Sequence, residues 1–313
     1  MGYTSARRAT PAEAEPYRAP CICSLVSILS QAKSRRLMRN LPSTDSLLEG
    51  AARVGYGARG FVYLSVGVIA LMAAMDWMSD AVGTSGAVGW LAQQPFGRVW
   101  LVLLGVGLWA FVLWRVLQSV FDADREGTSL KAWGMRAGQA MSGLVYGLLA
   151  AGVFELLDEV TANPAAEDIA ENQQKAAALL EMPFGHWLLI GVGLAVGGVA
   201  IGNMIRGFRS DFSSDLACSA DICRRVVPVA RAGYVARGFA LLPLALFVII
   251  AGFRASAAEV SSFGAGLDAL ERQPGGSIIL SLTAIGLMAF GAFAFVEARY
   301  RRIRAPKDLN PLN

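Results

Sequence analysis

The chain has 313 residues, of which 55% are hydrophobic and only 17% charged, and its mean hydropathy is +0.47. That balance excludes a disordered protein, whose mark is low hydrophobicity with high charge. It also fits a soluble domain poorly, since these carry about 25% charged residues, and the 34 glycines are an excess of the kind found in membrane helices.

Residues 1–52 read as a largely disordered cytoplasmic tail. Within it Cys21–Leu29 is apolar but far shorter than the roughly 20 residues that a span requires. Met38 offers a second start, after which Ser46-x-x-Glu49 has the form of a capping box leading into the first span. Six uncharged stretches follow: Gly60–Met75, Val99–Trp114, Ala137–Phe154, Met182–Ile205, Gly238–Phe253 and Gln273–Val296. Each is expected to cross a membrane. The three stretches of 16 residues each stand beside Arg59, Arg115 or Arg237, whose side chains can snorkel to the headgroups and lengthen the span. A short tail over 305–313 ends the chain.

Orientation follows from the bases. Of the 28 Lys and Arg residues, all but Arg98, Lys175, Arg254 and Arg272 fall on the side of the two termini, while the acids divide evenly. This positive-inside pattern puts both termini in the cytoplasm. It also accounts for a pI near 9.0 without nucleic acid as a partner. A basic rim favours membrane lipids with anionic headgroups. A membrane-protein partner or a second copy of the chain is the other candidate for association.

The spans come in three copies of one hairpin. Arg53-x-Gly55, Arg136-x-Gly138 and Arg231-x-Gly233 open the copies, and Gly60, Gly143 and Gly238 follow at equal spacing. The second span of each copy is introduced by Pro95-x-Gly97, Pro183-x-Gly185 or Pro274-x-Gly276, preceded by a leucine-led segment that reads as a short interfacial helix. The prolines are expected in the first helical turn, where no N–H is needed. The copies span 53–125, 136–210 and 231–304. Because each holds two spans, all enter the membrane in the same sense, as parallel repeats about an axis along the membrane normal. The expected fold is therefore all-α, with six spans as three hairpins around a pseudo-threefold axis. Gly143-x-x-x-Gly147, Gly193-x-x-x-Gly197 and Gly198-x-x-x-Gly202 have the small-xxx-small spacing and are expected to serve packing within the chain.

These openings and Pro-x-Gly turns resemble the bacterial membrane family catalogued as domain of unknown function 1206. The resemblance covers roughly Gly50 to Arg304. The middle copy departs most: Ser142 replaces the arginine found at 59 and 237, and Gln139 replaces the tyrosine found at 56 and 234. The third copy lacks the tyrosine found at 63 and 146. The resemblance implies a membrane fold, set in the bacterial cytoplasmic (inner) membrane, but no established activity, and it transfers no catalytic residue.

Few side chains carry chemistry. Cys21, Cys23, Cys218 and Cys223 all fall on the cytoplasmic side and are expected as free, reduced thiols, since their spacing is off that of zinc sites. The single histidine, His186, is expected beside Trp187 at the outer interface. No nucleophile elbow, phosphate loop or zinc-protease motif is present. Neither catalytic residues nor a cofactor or metal site is expected. The acidic segment Leu157–Glu181 reads as a solvated surface helix or as a collector of cations or of a basic partner. Ionisable and hydroxyl groups within spans are the functional candidates: Arg59, Tyr63, Tyr146, Arg237 and Glu297. The arginines either snorkel, with the tyrosines bonded to backbone carbonyls, or these residues line a polar path, Glu297 pairing with Arg59 or Arg237. Function then falls between a non-enzymatic membrane component or scaffold, a small-solute channel or transporter along the pseudo-threefold axis, and, with the least support, a membrane enzyme. A polar cavity to mid-membrane favours transport, and a close-packed centre favours the scaffold.

Overall fold

The structure is a computed structural model, and it describes residues 44–77, 83–123, 127–158, 164–213 and 216–303. The expectations for the tails, for Met38 and for Cys21 and Cys23 lie outside these residues. The described helices are α1 (Thr44–Ala74), α2 (Thr84–Ala92), α3 (Gly97–Phe121), α4 (Leu130–Asp158), α5 (Pro164–Leu180), α6 (Gly185–Arg209), α7 (Ala220–Arg254), α8 (Phe263–Glu271) and α9 (Gly276–Tyr300). Six of them, α1, α3, α4, α6, α7 and α9, are long and apolar enough to cross a membrane. Each hairpin is thus span, short helix, span, and the fold is all-α.

The helices start earlier than their uncharged stretches. The described part of α1 begins at Thr44, so Ser46 lies within the helix, and Glu49 pairs with Arg53 at 2.5 Å. The repeated prolines also sit outside the helices. The helices begin two residues later, at Gly97, Gly185 and Gly276, after residues in the left-handed region: Phe96 (φ 62°), Phe184 (φ 62°) and Gly275 (φ 73°). The turn folds the span's first residue back on the end of the short helix, and a Cβ there would run into the backbone oxygen of Ala92, Leu179 or Glu271. Glycine is required at these positions because of that close approach.

The opening motif ties neighbouring hairpins together. Arg53 Nη1 donates to the carbonyls of Ala298 and Arg299 at 2.8 and 2.7 Å, capping the end of α9. Arg136 caps the end of α3 in the same way, through Ser119 and Val120 at 2.7 and 2.8 Å. A cation there also opposes the negative end of the helix dipole. The glycine two residues on meets the partner span of its own hairpin. A Cβ at Gly55 would stand 2.6 Å from the Phe111 backbone, and one at Gly233 equally close to that of Phe290.

These contacts build a ring with one open seam. Span α1 packs on α3 and α9, α7 packs on α6 and α9, and α3 packs on α4. The remaining adjacency, α4 with α6, leaves positions exposed that are buried in the other two hairpins. Equivalent positions make the contrast plain. Val62 and Ala240 are 1% and 0% exposed, whereas Val145 is 56% exposed; Phe111 and Phe290 are both 0% exposed, whereas Val199 is 42% exposed. Gly138, Gly198 and Gly202 face open space. The expected use of Gly198-x-x-x-Gly202 in packing is therefore not observed, while Gly193 does meet α7 at Ile249 and Gly143 meets Arg115.

At one end the three short helices α2, α5 and α8 contact one another and form a cap. Their meeting point is Asp168, which is buried. Its carboxylate accepts hydrogen bonds from Ser85 of α2 and from Ser262, the N-cap of α8. Burial pushes its carboxyl up from the usual carboxylate range, and the two serine hydroxyls act against that shift. The acidic segment is thus not uniformly solvated. Because the folded state holds this proton more tightly than the unfolded chain, the Asp168 contribution to stability falls as pH rises and is not lost on mild acidification. Asp168→Ala is expected to cost about 1–3 kcal/mol by taking the acceptor from the buried Ser262 hydroxyl and the half-buried Ser85 hydroxyl, while Asp168→Asn stays within about 1 kcal/mol of the parent. Thermal unfolding in detergent at neutral and mildly acidic pH reads both.

Candidate functional site

At the centre of the ring, towards the end opposite the cap, the inward faces of the spans bring together all five residues singled out in the sequence. Arg59 of α1 is 3% exposed, and its Nη2 donates to Glu297 Oε2 of α9 at 2.6 Å. The other carboxylate oxygen accepts from Arg301 Nη1 at 2.7 Å. The Arg59 guanidinium stands 5.0 Å from the ring centre of Phe290 and 5.4 Å from those of Phe111 and Tyr56. Aromatic faces attract a cation most strongly when water is excluded, so the rings both enclose the charge and stabilise it.

Arg237 of α7, the equivalent of Arg59, is half-buried. Its Nε donates to the Tyr63 hydroxyl at 3.0 Å, its Nη1 reaches Asn203 Oδ1 at 3.5 Å, and its guanidinium lies 4.8 Å from the Phe290 ring. Tyr146 of α4 sets its ring edge-on to Phe111 at 4.9 Å, and Tyr63, Arg237 and Arg59 are the polar groups around its hydroxyl. Arg115 turns inward as well, over Phe111 at 4.8 Å, and bonds Gln118 Oε1 at 2.9 Å. The snorkelling expected of Arg59, Arg115 and Arg237 is therefore replaced by inward burial. A ring-lined interior with a carboxylate satisfies a guanidinium better than a long reach along a lipid-facing helix.

Sequence reasoning missed Gln118, Asn203, Phe111 and Phe290. Their signal lay in register with the repeated prolines: Gln118, Arg206 and Glu297 each stand 23 residues after one of them. The same layer of the ring thus presents an amide, a cation and a carboxylate in turn.

Further along the axis, away from the cap, the segment between α6 and α7 covers the centre. Phe212 and Leu216 are buried there, Phe212 against Tyr234 and Phe293 at 5.1 and 5.4 Å. Ala217 N–H donates to the Tyr300 carbonyl at 2.7 Å and fixes the segment to the end of α9. Cys218 and Cys223 follow, joined as a disulfide with Cα atoms 5.8 Å apart, and not as the separate thiols expected. The entry of α7 folds the five-residue spacing back into bonding range. Among the described residues no group of His, Cys, Asp and Glu is placed to hold a metal. A cavity of about 370 Å³ lies between α3 and α4 and is lined by Trp109, Val112 and Leu148 among others.

A family model described as Domain of Unknown Function (DUF1206) matches the chain three times, over residues 54–122, 137–210 and 232–301. The chain belongs to that family. It is also 29% identical over 277 residues to the uncharacterized protein YxxB of Bacillus subtilis (strain 168), covering 87% of this chain and 98% of that protein. No solved structure matches.

Proposed function

We propose that this protein is a non-enzymatic component of the bacterial cytoplasmic membrane, with both termini in the cytoplasm, which holds lipids or other membrane proteins and does not conduct solutes along its axis. The observation that carries this reading is the occupied axis. Asp168 and its two serines close the cap, the Arg59–Glu297 pair with Phe111 and Phe290 fills the middle, and Phe212 with Leu216 covers the far end. Opening such a path would mean breaking a buried ion pair, which costs several kcal/mol. The placement of the termini rests on the distribution of arginine and lysine.

The test is flux through reconstituted vesicles. With potassium, chloride and glycerol, wild-type vesicles should be no leakier than protein-free ones. A saturable flux that Arg59→Gln alters would overturn the reading in favour of a channel or transporter.

A further inference from the structure

We propose that the open seam between α4 and α6 binds one anionic phospholipid, with its phosphate against Arg237 and an acyl chain between the two helices. This names a partner for the membrane component described above and rests on that reading. The seam opens sideways, at the depth of the spans, so what enters it must already reside in the bilayer. Its walls are apolar: exposed Met141 and Val145 on α4, and exposed Val192 and Val199 on α6. Ser142 stands on α4 where the other hairpins have an arginine, and Gly138, Gly198 and Gly202 leave space beside it.

Charge decides the kind of occupant. Arg59 has a carboxylate partner because Glu297 stands on the neighbouring span α9. Arg237 is its equivalent, and α6 is its neighbouring span, but at the register of Glu297 that span carries Arg206. A cation has replaced the counter-charge. The groups bonded to Arg237 are the neutral Tyr63 and Asn203, and a second cation, Arg59, stands close enough to repel it. Both oxygens of Glu297 are already engaged, by Arg59 at 2.6 Å and by Arg301 at 2.7 Å. A guanidinium at bilayer depth demands an anion, and arginine matches phosphate oxygens in two-pronged geometry. A transmembrane helix would fill the apolar walls but would need its own buried carboxylate at this depth, which is rare in spans.

The experiment uses the full chain in discs holding equal amounts of phosphatidylglycerol and phosphatidylcholine, released for native mass spectrometry. Wild type should keep one phosphatidylglycerol in preference to phosphatidylcholine by about tenfold, the scale of one strong charge-assisted contact. Arg237→Gln should abolish the preference, Val145→Trp should expel the lipid by filling the seam, and Arg299→Gln, at the exposed rim, should change neither. Equal retention of the two lipids, or retention unaltered in both seam variants, overturns the proposal. So does a second protein mass, from another copy or another protein, that Val145→Trp removes. If Arg237→Gln does not fold, Val145→Trp decides, because Val145 is exposed and its enlargement meets no packed neighbour. Retention says nothing about conduction, so failure here leaves the vesicle result standing, and a measured flux leaves this one standing.

Discussion

Glu297→Leu is expected to be among the most damaging single substitutions in the protein, costing about 3–5 kcal/mol in detergent unfolding, because it strands a buried arginine without its partner. Arg59 is 3% exposed and its carboxylate contact is 2.6 Å long. Arg59→Leu should cost less, near the lower end of that range, since Arg301 still reaches the second oxygen of Glu297 at 2.7 Å. The double substitution Arg59→Leu with Glu297→Leu should recover much of the loss, because replacing a whole buried pair by apolar groups is often close to neutral. Four unfolding curves, of the parent, the two single variants and the double variant, read the cycle. Losses below about 1 kcal/mol for both single variants would place the pair in solvent, where ion pairs contribute little.

The second large effect separates three glycines that look alike in the sequence. Gly55→Leu and Gly233→Leu would each drive a side chain into the backbone of the partner span, 2.6 Å away at Phe111 or Phe290. Backbone cannot step aside as a flexible side chain does, so a loss of about 3 kcal/mol or more is expected, above the usual range for overpacking. Gly138→Leu should do the reverse. Nothing stands within 4 Å of that position, and leucine replaces the least favourable helix residue after proline, a gain of up to about 1 kcal/mol. Melting temperatures of the three variants make the comparison. Equal damage at all three would mean that α4 and α6 are closed on each other like the other two hairpins.

The spans and the threefold repeat were legible because they rest on composition and spacing, which one sequence displays in full. Directions were not. A charged residue near the end of an apolar stretch has the same sequence whether it snorkels or turns inward, and only the rings of Phe111 and Phe290 on neighbouring spans settle the matter for Arg59. The turns before α3 and α6 misled for another reason. Phenylalanine in the left-handed region is uncommon, so the sequence pattern favours helix starts at Pro95 and Pro183, whereas each precedes a strained Phe that lets the glycine approach the short helix. Asp168 was hidden among the other acids of its segment, since nothing local marks the one that faces Ser85 and Ser262. The seam was half visible: Ser142, Gln139 and Val199 depart from the other copies at positions on one side of the hairpin, but that the departure opens it is a tertiary fact.

The most direct test of the ring with one open seam is oxygen accessibility of a spin label in lipid bilayers, placed in turn at Val62, Val145 and Ala240 of a variant whose four native cysteines are replaced. These positions are equivalent in the three hairpins. Oxygen is concentrated in the hydrocarbon core, so a label in the open seam should collide with it freely at 145 and be protected at 62 and 240. Protection at all three positions would contradict the seam, and with it the lipid site built on it.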